Sequence, residues 1–249
     1  KTHGEHPVLR DADAKWYVRE ERGGWILGPY EQGAPARFLY DVPESFRADL
    51  FPLDLERIEE EYMSMIHRIP SSETVGLKDD YNGPICYTPD GNPLVGPVPG
   101  LRNYWSACGV MAGFSQGGGV GLMLAQWMVE GECERDVTAM DVGRYGKWIT
   151  PGYTRPKVIE NYRNRFSVSY PNEELPAARP YRTTPMYDIF SDLGAVWGHQ
   201  FGLEVVNYFA KDCDPGYETP TFRRSDAFAA TAREVKAVRA GVGINEVQN

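Results

Sequence analysis

The stretch from Asn103 to Gly131 constrains this chain more than any other. It runs from Asn103-Tyr104-Trp105-Ser106-Ala107-Cys108-Gly109-Val110, which reads as a strand, through Gly113-Phe114-Ser115-Gln116-Gly117-Gly118-Gly119-Val120-Gly121, into Leu122 to Gly131. The last piece is apolar nearly all round, which predicts a buried helix with Gly131 as its C-terminal cap. A helix that opens with Gly117-Gly118-Gly119 presents bare N–H groups and roughly half a unit of positive charge at its start. Such an end attracts an anion or a polarised carbonyl, and glycines let that group reach the backbone. The same glycines also serve a purely structural role, tight packing of the helix on a strand, and that alternative stays open at this point.

The dinucleotide pattern G-x-G-x-x-G is not met: counted from Gly117 it needs glycine where Leu122 stands, and from Gly119 where Leu124 stands. A pyrophosphate cradle is therefore disfavoured. A flavin ring fits better, because its reduced form carries negative charge over N1 and the C2 carbonyl, which a helix N-terminus stabilises.

Upstream, Lys15 to Tyr30 predicts a β-hairpin turning at Arg22-Gly23-Gly24. Leu53 to Ile69 places Leu55, Ile58, Tyr62, Met65, Ile66 and Ile69 on one helical stripe stopped by Pro70, with Glu59-Glu60-Glu61 on the solvated side. Pro89-Asp90-Gly91-Asn92 fits a tight turn, in which Asp90 is a turn former. Past Asp136 the texture changes to Tyr, Arg, Asn and Pro, with a helix predicted over Arg155 to Phe166, begun by Thr154 and Pro156. Gly194 to Phe209 reads as strand-rich, and Ser225 to Val238 as a helix capped by Ser225 or Asp226. The apolar, strand-like end from Gly243 to Asn249 reads as a chain cut inside a domain.

Composition narrows the function class. With Lys+Arg 26 against Asp+Glu 35, the formal charge of −9 speaks against a polyanion partner, and no basic patch with interleaved aromatics offsets it. The apolar run from Val95 to Val129 is broken by prolines and polar residues, so no membrane span is expected. Lys1 to Arg10 holds no signal-peptide core. Cys86, Cys108, Cys133 and Cys213 lack C-x-x-C spacing and read as free thiols of a soluble protein in a reducing compartment. His3 and His6 make at best a weak chelate, and no metal is expected.

Ordered along nearly the whole chain, Pro7-Val8-Leu9-Arg10-Asp11, Trp16-Tyr17-Val18-Arg19, Gly28-Pro29-Tyr30-Glu31, Asn82-Gly83-Pro84, Tyr87-Thr88-Pro89-Asp90, Arg102-Asn103-Tyr104-Trp105, Gly117 to Gly121, Arg144-Tyr145-Gly146-Lys147-Trp148, Tyr170 to Glu174, Gly194-Ala195 and Phe222 to Ser225 closely resemble the dimethylglycine dehydrogenase and sarcosine dehydrogenase family. The resemblance implies an α+β chain. Residues 1–135 would be the C-terminal part of a glutathione-reductase-like FAD oxidoreductase domain with an antiparallel substrate sheet. Residues 136–190 would be a small central domain, and 191–249 the start of an aminomethyltransferase-like folate domain. The N-terminal fingerprint and the early histidine that links to FAD in the family have no counterpart here, so both ends read as cuts and the chain alone is expected to be inactive.

The activity implied is oxidation of a small N-methylated amino acid by hydride transfer to FAD, giving an iminium whose one-carbon unit passes to tetrahydrofolate. Electrons would leave to an acceptor protein or oxygen, in the cytoplasm or, in a eukaryote, the mitochondrial matrix. Gly113, Phe114, Ser115, Gln116, Gly117, Gly118 and Gly119 match the family's second FAD-contacting loop. Tyr17 falls in the hairpin that matches the family's active-site strand, as a phenol assisting loss of the amine proton, against the alternative of a packed hairpin aromatic. Arg19 offers a fork for the substrate carboxylate, against the alternative of a surface pair with Glu20 or Glu21. Tyr87 sits beside the flavin loop as a substrate contact. Two competing readings are a non-catalytic relative resembling the regulatory subunit of pyruvate dehydrogenase phosphatase and a folate-dependent methyl transferase without oxidation.

Overall fold

A computed structural model describes residues 6–243. Helices and antiparallel strands are mixed, and the chain divides into two compact units, 1–168 and 169–249.

In the first unit, β1 (Leu9–Asp11), β2 (Trp16–Glu21) and β3 (Gly24–Pro29) form an antiparallel sheet in that order. Arg22 and Gly23 turn the hairpin with φ of 50° and 78°, left-handed values that the Gly23 backbone adopts without strain. Alternation along β2 sends Trp16 and Val18 inward against Met65 of α1 (Glu59–Arg68). Each such buried side chain contributes about 1.5–3 kcal/mol. Trp16 Nε1 also donates to Ser64 Oγ at 3.1 Å, so the indole is buried without an orphaned donor.

Several expectations shift on contact with the fold. The helix predicted from Leu53 begins as a 3-10 turn at Glu56–Ile58 before α1, and Glu61 is buried rather than solvated. Glu61 lies four residues before Met65 and therefore on its face of the helix. Burial, then the neighbouring charges of Glu60 and Glu31, push its carboxyl above the usual range.

The expected strand shortens to β5 (Trp105–Cys108), paired antiparallel with β4 (Leu94–Pro97). The following helix, α2 (Gly113–Glu130), starts at Gly113 and not at Gly117, so Gly117 to Gly119 lie inside it. Its first turn is closed by Ser115 and Gln116 N–H donating to the Ala112 carbonyl at 3.0 and 2.9 Å. Gly131 closes it in the left-handed conformation, φ 85°.

Nor is α2 a buried helix: among the described residues only Val120 and Met123 are buried, while Phe114, Leu122, Met128 and Val129 are exposed. An all-apolar helix has the capacity to be covered on every side, but β4 and β5 cover one. There Trp127 meets Gly96, where a Cβ would stand 2.5 Å from the indole, and Trp105 edge-on at 6.2 Å. The third helix, α3 (Pro151–Arg165), starts before the predicted Arg155, since Thr150-Pro151 already supplies an N-cap position and a first-turn proline; Pro156 is internal.

The second unit holds α4 (Tyr187–Asp192), the hairpin β6 (Ala195–Gln200) and β7 (Leu203–Phe209), and α5 (Ala227–Ala240). Val196, Tyr208 and Ala230 form its core. Arg179 bridges Glu204, at 2.6 Å, and Glu174, at 3.6 Å. Asp226 is the N-cap residue of α5, but Ser225 Oγ makes the capping bond, from Ala227 N–H at 3.0 Å. His3 and the strand-like end beyond Gly243 lie outside the described residues. Among the described residues all four cysteines are free, no acidic, His or Cys cluster suits a metal, and no helix is long and apolar enough to cross a membrane.

Candidate functional site

The strand alternation that buries Trp16 and Val18 puts Tyr17 and Arg19 together on the opposite face of β2. Tyr17 lies over its partner Gly28, where any Cβ would overlap the phenol ring, so the glycine makes room for the ring. Arg19 Nη1 donates to Glu21 Oε2 at 2.5 Å and, more weakly, to the Glu20 carbonyl at 3.4 Å. That hydrogen bond, with the charge of Arg19, holds the Glu21 carboxyl below the usual range.

Tyr17 and Tyr87 do not touch; a run of rings joins them. Tyr17 meets Tyr30 at 5.6 Å, Tyr30 stacks on Phe166 at 3.7 Å, Phe166 meets Tyr162 edge-on at 6.3 Å, and Tyr162 meets Tyr87 edge-on at 5.6 Å. The sequence reading missed Tyr162 and Phe166, because α3 looks like an ordinary polar connector until its aromatic face is seen against the hairpin. The Tyr87 hydroxyl is buried with no hydrogen-bond partner, and burial pushes it up to about 12. Tyr162 donates to Glu31 Oε2 at 3.4 Å; burial, then the Glu31 charge, raises it as well.

Directly after Tyr87, the predicted turn is present. Gly91 N–H donates to the Thr88 carbonyl at 3.1 Å, and Asp90 Oδ1 accepts from Asn92 N–H at 3.0 Å. Arg144, which no local pattern singled out, locks this turn: Nε and Nη2 bind the two Asp90 oxygens at 2.8 and 2.9 Å. It also reaches the carbonyls of Asn92, Pro93 and Asp141, with its side chain only 3% exposed. Burial opposes ionisation of Asp90, but the bonds from Arg144 and Asn92 outweigh it and hold the carboxyl below the usual range. Thr88 in turn abuts Gly109, whose Cβ would stand 3.1 Å from the threonine methyl, four residues before α2 opens.

At that opening, Gly113 and Phe114 occupy the first helical positions, whose N–H groups have no intrahelical acceptor. Along the helix, a Cβ built on Gly113, Gly117, Gly118, Gly119 or Gly121 would meet nothing within 4 Å. Among the described residues, packing on a strand therefore does not account for these glycines; only Gly96, on the strand side, has that role.

A cavity of about 980 Å³ is lined by Tyr87 and Tyr162 together with residues of the segments 31–57 and 82–87 and of α3. Arg57 at its wall lies 3.4 Å from Glu31 and 3.5 Å from Asp54.

Residues 1–127 match the family described as FAD dependent oxidoreductase, and residues 130–184 match FAD dependent oxidoreductase central domain. The chain is 38% identical to mitochondrial dimethylglycine dehydrogenase of Rattus norvegicus, over 96% of this chain and 29% of the relative. It is 34% identical to mitochondrial sarcosine dehydrogenase of Homo sapiens, over 82% and 22%. With the mitochondrial pyruvate dehydrogenase phosphatase regulatory subunit of Mus musculus it shares 29% identity, over 98% and 28%. The chain thus spans under a third of the length of these relatives.

Proposed function

Since the chain belongs to the FAD dependent oxidoreductase family, we propose that it contributes the substrate sheet and the second flavin-contacting segment of an enzyme that oxidises a small N-methylated amino acid. The observation that carries this reading is the 38% identity to dimethylglycine dehydrogenase along 96% of the chain. The glycines of α2 support it, being bare backbone that no packing among the described residues requires. That surface, with the free N–H groups of Gly113 and Phe114 at its start, fits a flat, electron-accepting ring. Gly113 to Gly119 are the residues that would hold FAD. When bound, FAD supplies the hydride acceptor.

The chain's own residues prepare the substrate. At neutral pH the amine arrives protonated, and a lone pair must be freed before the methyl C–H bond can yield a hydride; in this reading the Tyr17 phenol assists loss of that proton. Arg19, on the same face, exchanges its bond to Glu21 for a bidentate one to the substrate carboxylate. Tyr87 offers an unused hydroxyl to a substrate oxygen. Arg144 fixes the turn between Tyr87 and α2.

In the same reading, residues 1–135 belong to a glutathione-reductase-like FAD domain, 136–190 to the central domain and 191–249 to a folate domain. That domain hands the one-carbon unit to tetrahydrofolate, electrons leave to an acceptor protein or oxygen, and the setting in a eukaryote is the mitochondrial matrix. Substituting Tyr17→Phe tests the role of the phenol. General-base catalysis of this kind is worth roughly 10²–10⁴-fold, so flavin reduction slows by that order with flavin content unchanged; an unchanged rate removes Tyr17 from the chemistry. The regulatory relative supports a second, non-catalytic reading, at lower identity, which requires a flavin that no N-methylated amino acid reduces or no flavin at all.

A further inference from the structure

We propose that Arg10 is a further substrate-binding residue, whose guanidinium takes the carboxylate of the N-methylated amino acid beside Tyr17. The proposal rests on the reading that Tyr17 and Arg19 of β2 face the substrate, and it adds a residue from β1.

Register places Arg10 on that face. It is the direct partner of Tyr17, and opposed residues of an antiparallel pair project to the same side of the sheet. The residues flanking it point the other way: Leu9 opposes the buried Val18, and Asp11 meets Arg68 of α1 at 3.2 Å. Arg19, two residues along β2 from Tyr17, is the diagonal neighbour of Arg10, at a spacing of about 7–8 Å in such pairs. Rings surround the guanidinium. It lies 5.9 Å from the centre of the Tyr30 ring, and Tyr30 meets Tyr17 at 5.6 Å. The Tyr17 ring lies over the bare Gly28 of β3, so it leans away from β1, where Arg10 is exposed.

Charge separates the two arginines. The ion pairs of this sheet are Arg19 and Arg22 with Glu21, Arg68 with Asp11, and the His6 contact with Glu20. Among the described residues Arg10 belongs to none of them. Arg19 must surrender a 2.5 Å bond to Glu21 before it holds a ligand, whereas Arg10 exchanges water and a ring contact for a charge-assisted fork. Once the amine proton is lost, the substrate carries its negative charge on the carboxylate, and an unmatched guanidinium is the complement of that group.

The test is flavin reduction without oxygen in the full protein that carries this chain, over a range of dimethylglycine or sarcosine concentrations. Arg10→Gln should raise the substrate Kd by about 10- to 100-fold, the worth of a hydrogen bond between charged groups, with a smaller effect on the limiting rate of reduction. Arg10→Lys keeps the charge and loses the fork, so its Kd should lie between those of Arg10→Gln and the wild type. Flavin content and thermal midpoint should stay at wild-type values, because Arg10 is exposed. An unchanged Kd in Arg10→Gln, a loss that falls on the limiting rate alone, or Arg10→Lys no better than Arg10→Gln overturns the proposal. A wild-type flavin that no N-methylated amino acid reduces removes the underlying reading and the proposal together; one that bleaches while Arg10→Gln binds as tightly removes the proposal alone.

Discussion

Arg144 spends every direction of its guanidinium on the turn from Asp90 to Pro93 and on Asp141, and it does so almost out of reach of water. Removing one partner of such a pair leaves the other charge and several carbonyls unmatched, so Arg144→Ala should lower unfolding free energy by about 3 kcal/mol in urea titration. The Asp90 carboxyl is depressed in the folded state, so its contribution is present above the ordinary carboxylate value and is lost as pH falls through the folded one. In the variant, that part of the acid-side loss of stability should disappear. Tyr87 has the opposite sign. Its phenol is raised to about 12, so between about pH 10 and 12 the unfolded chain releases this proton while the folded one keeps it, and stability falls as pH rises. Tyr87→Phe should flatten that alkaline decline and, at neutral pH, leave stability equal or about 1 kcal/mol higher, because the hydroxyl it deletes has no partner. Asp90 was legible as a turn former because Pro-Asp-Gly-Asn is a local pattern. Its arginine, 54 residues away, stood in the family-like run Arg144 to Trp148, but nothing local tied it to Asp90.

At the scale of elements, what periodicity encodes came through and what depends on neighbours did not. The hairpin, α1 and the β6–β7 pair follow from alternation, helical spacing and glycine turns. The start of α2 was misread because glycines look like a helix opening, whereas Ala112 had already accepted the first bonds and cooperativity carried the helix through them. Its burial was misread because an apolar sequence does not say which of its faces this chain covers. The Arg19 pair with Glu21 was one of two arrangements that adjacent charges allowed. The corrected helix yields a sharper prediction than the original one. Gly118→Ala lies inside α2 with open space around its Cβ, so it should raise stability by about 0.5–1 kcal/mol in denaturant titration. If Gly118 lies against flavin, the same substitution should lower flavin retention. A variant that is stabilised and fully flavinated would mean that Gly118 does not meet the cofactor.

At the scale of the whole molecule, a family match over residues 1–127 and 38% identity over 96% of the chain join a hairpin bearing Tyr17 and Arg19, a run of rings, a locked turn and an open helix start into one order. Methyl number on the substrate amine is worth only about 1–3 kcal/mol in a pocket, so related N-methylated amino acids should all be turned over, at different rates. The central claim is that an N-methyl group gives up a hydride to a flavin held here. It is tested by mixing the full protein that carries this chain, without oxygen, with dimethylglycine, sarcosine or glycine while recording flavin absorbance. The account predicts that the yellow band bleaches with both methylated compounds, at different rates, and persists with glycine; a protein without the band, or one whose band either methylated compound leaves untouched, contradicts it.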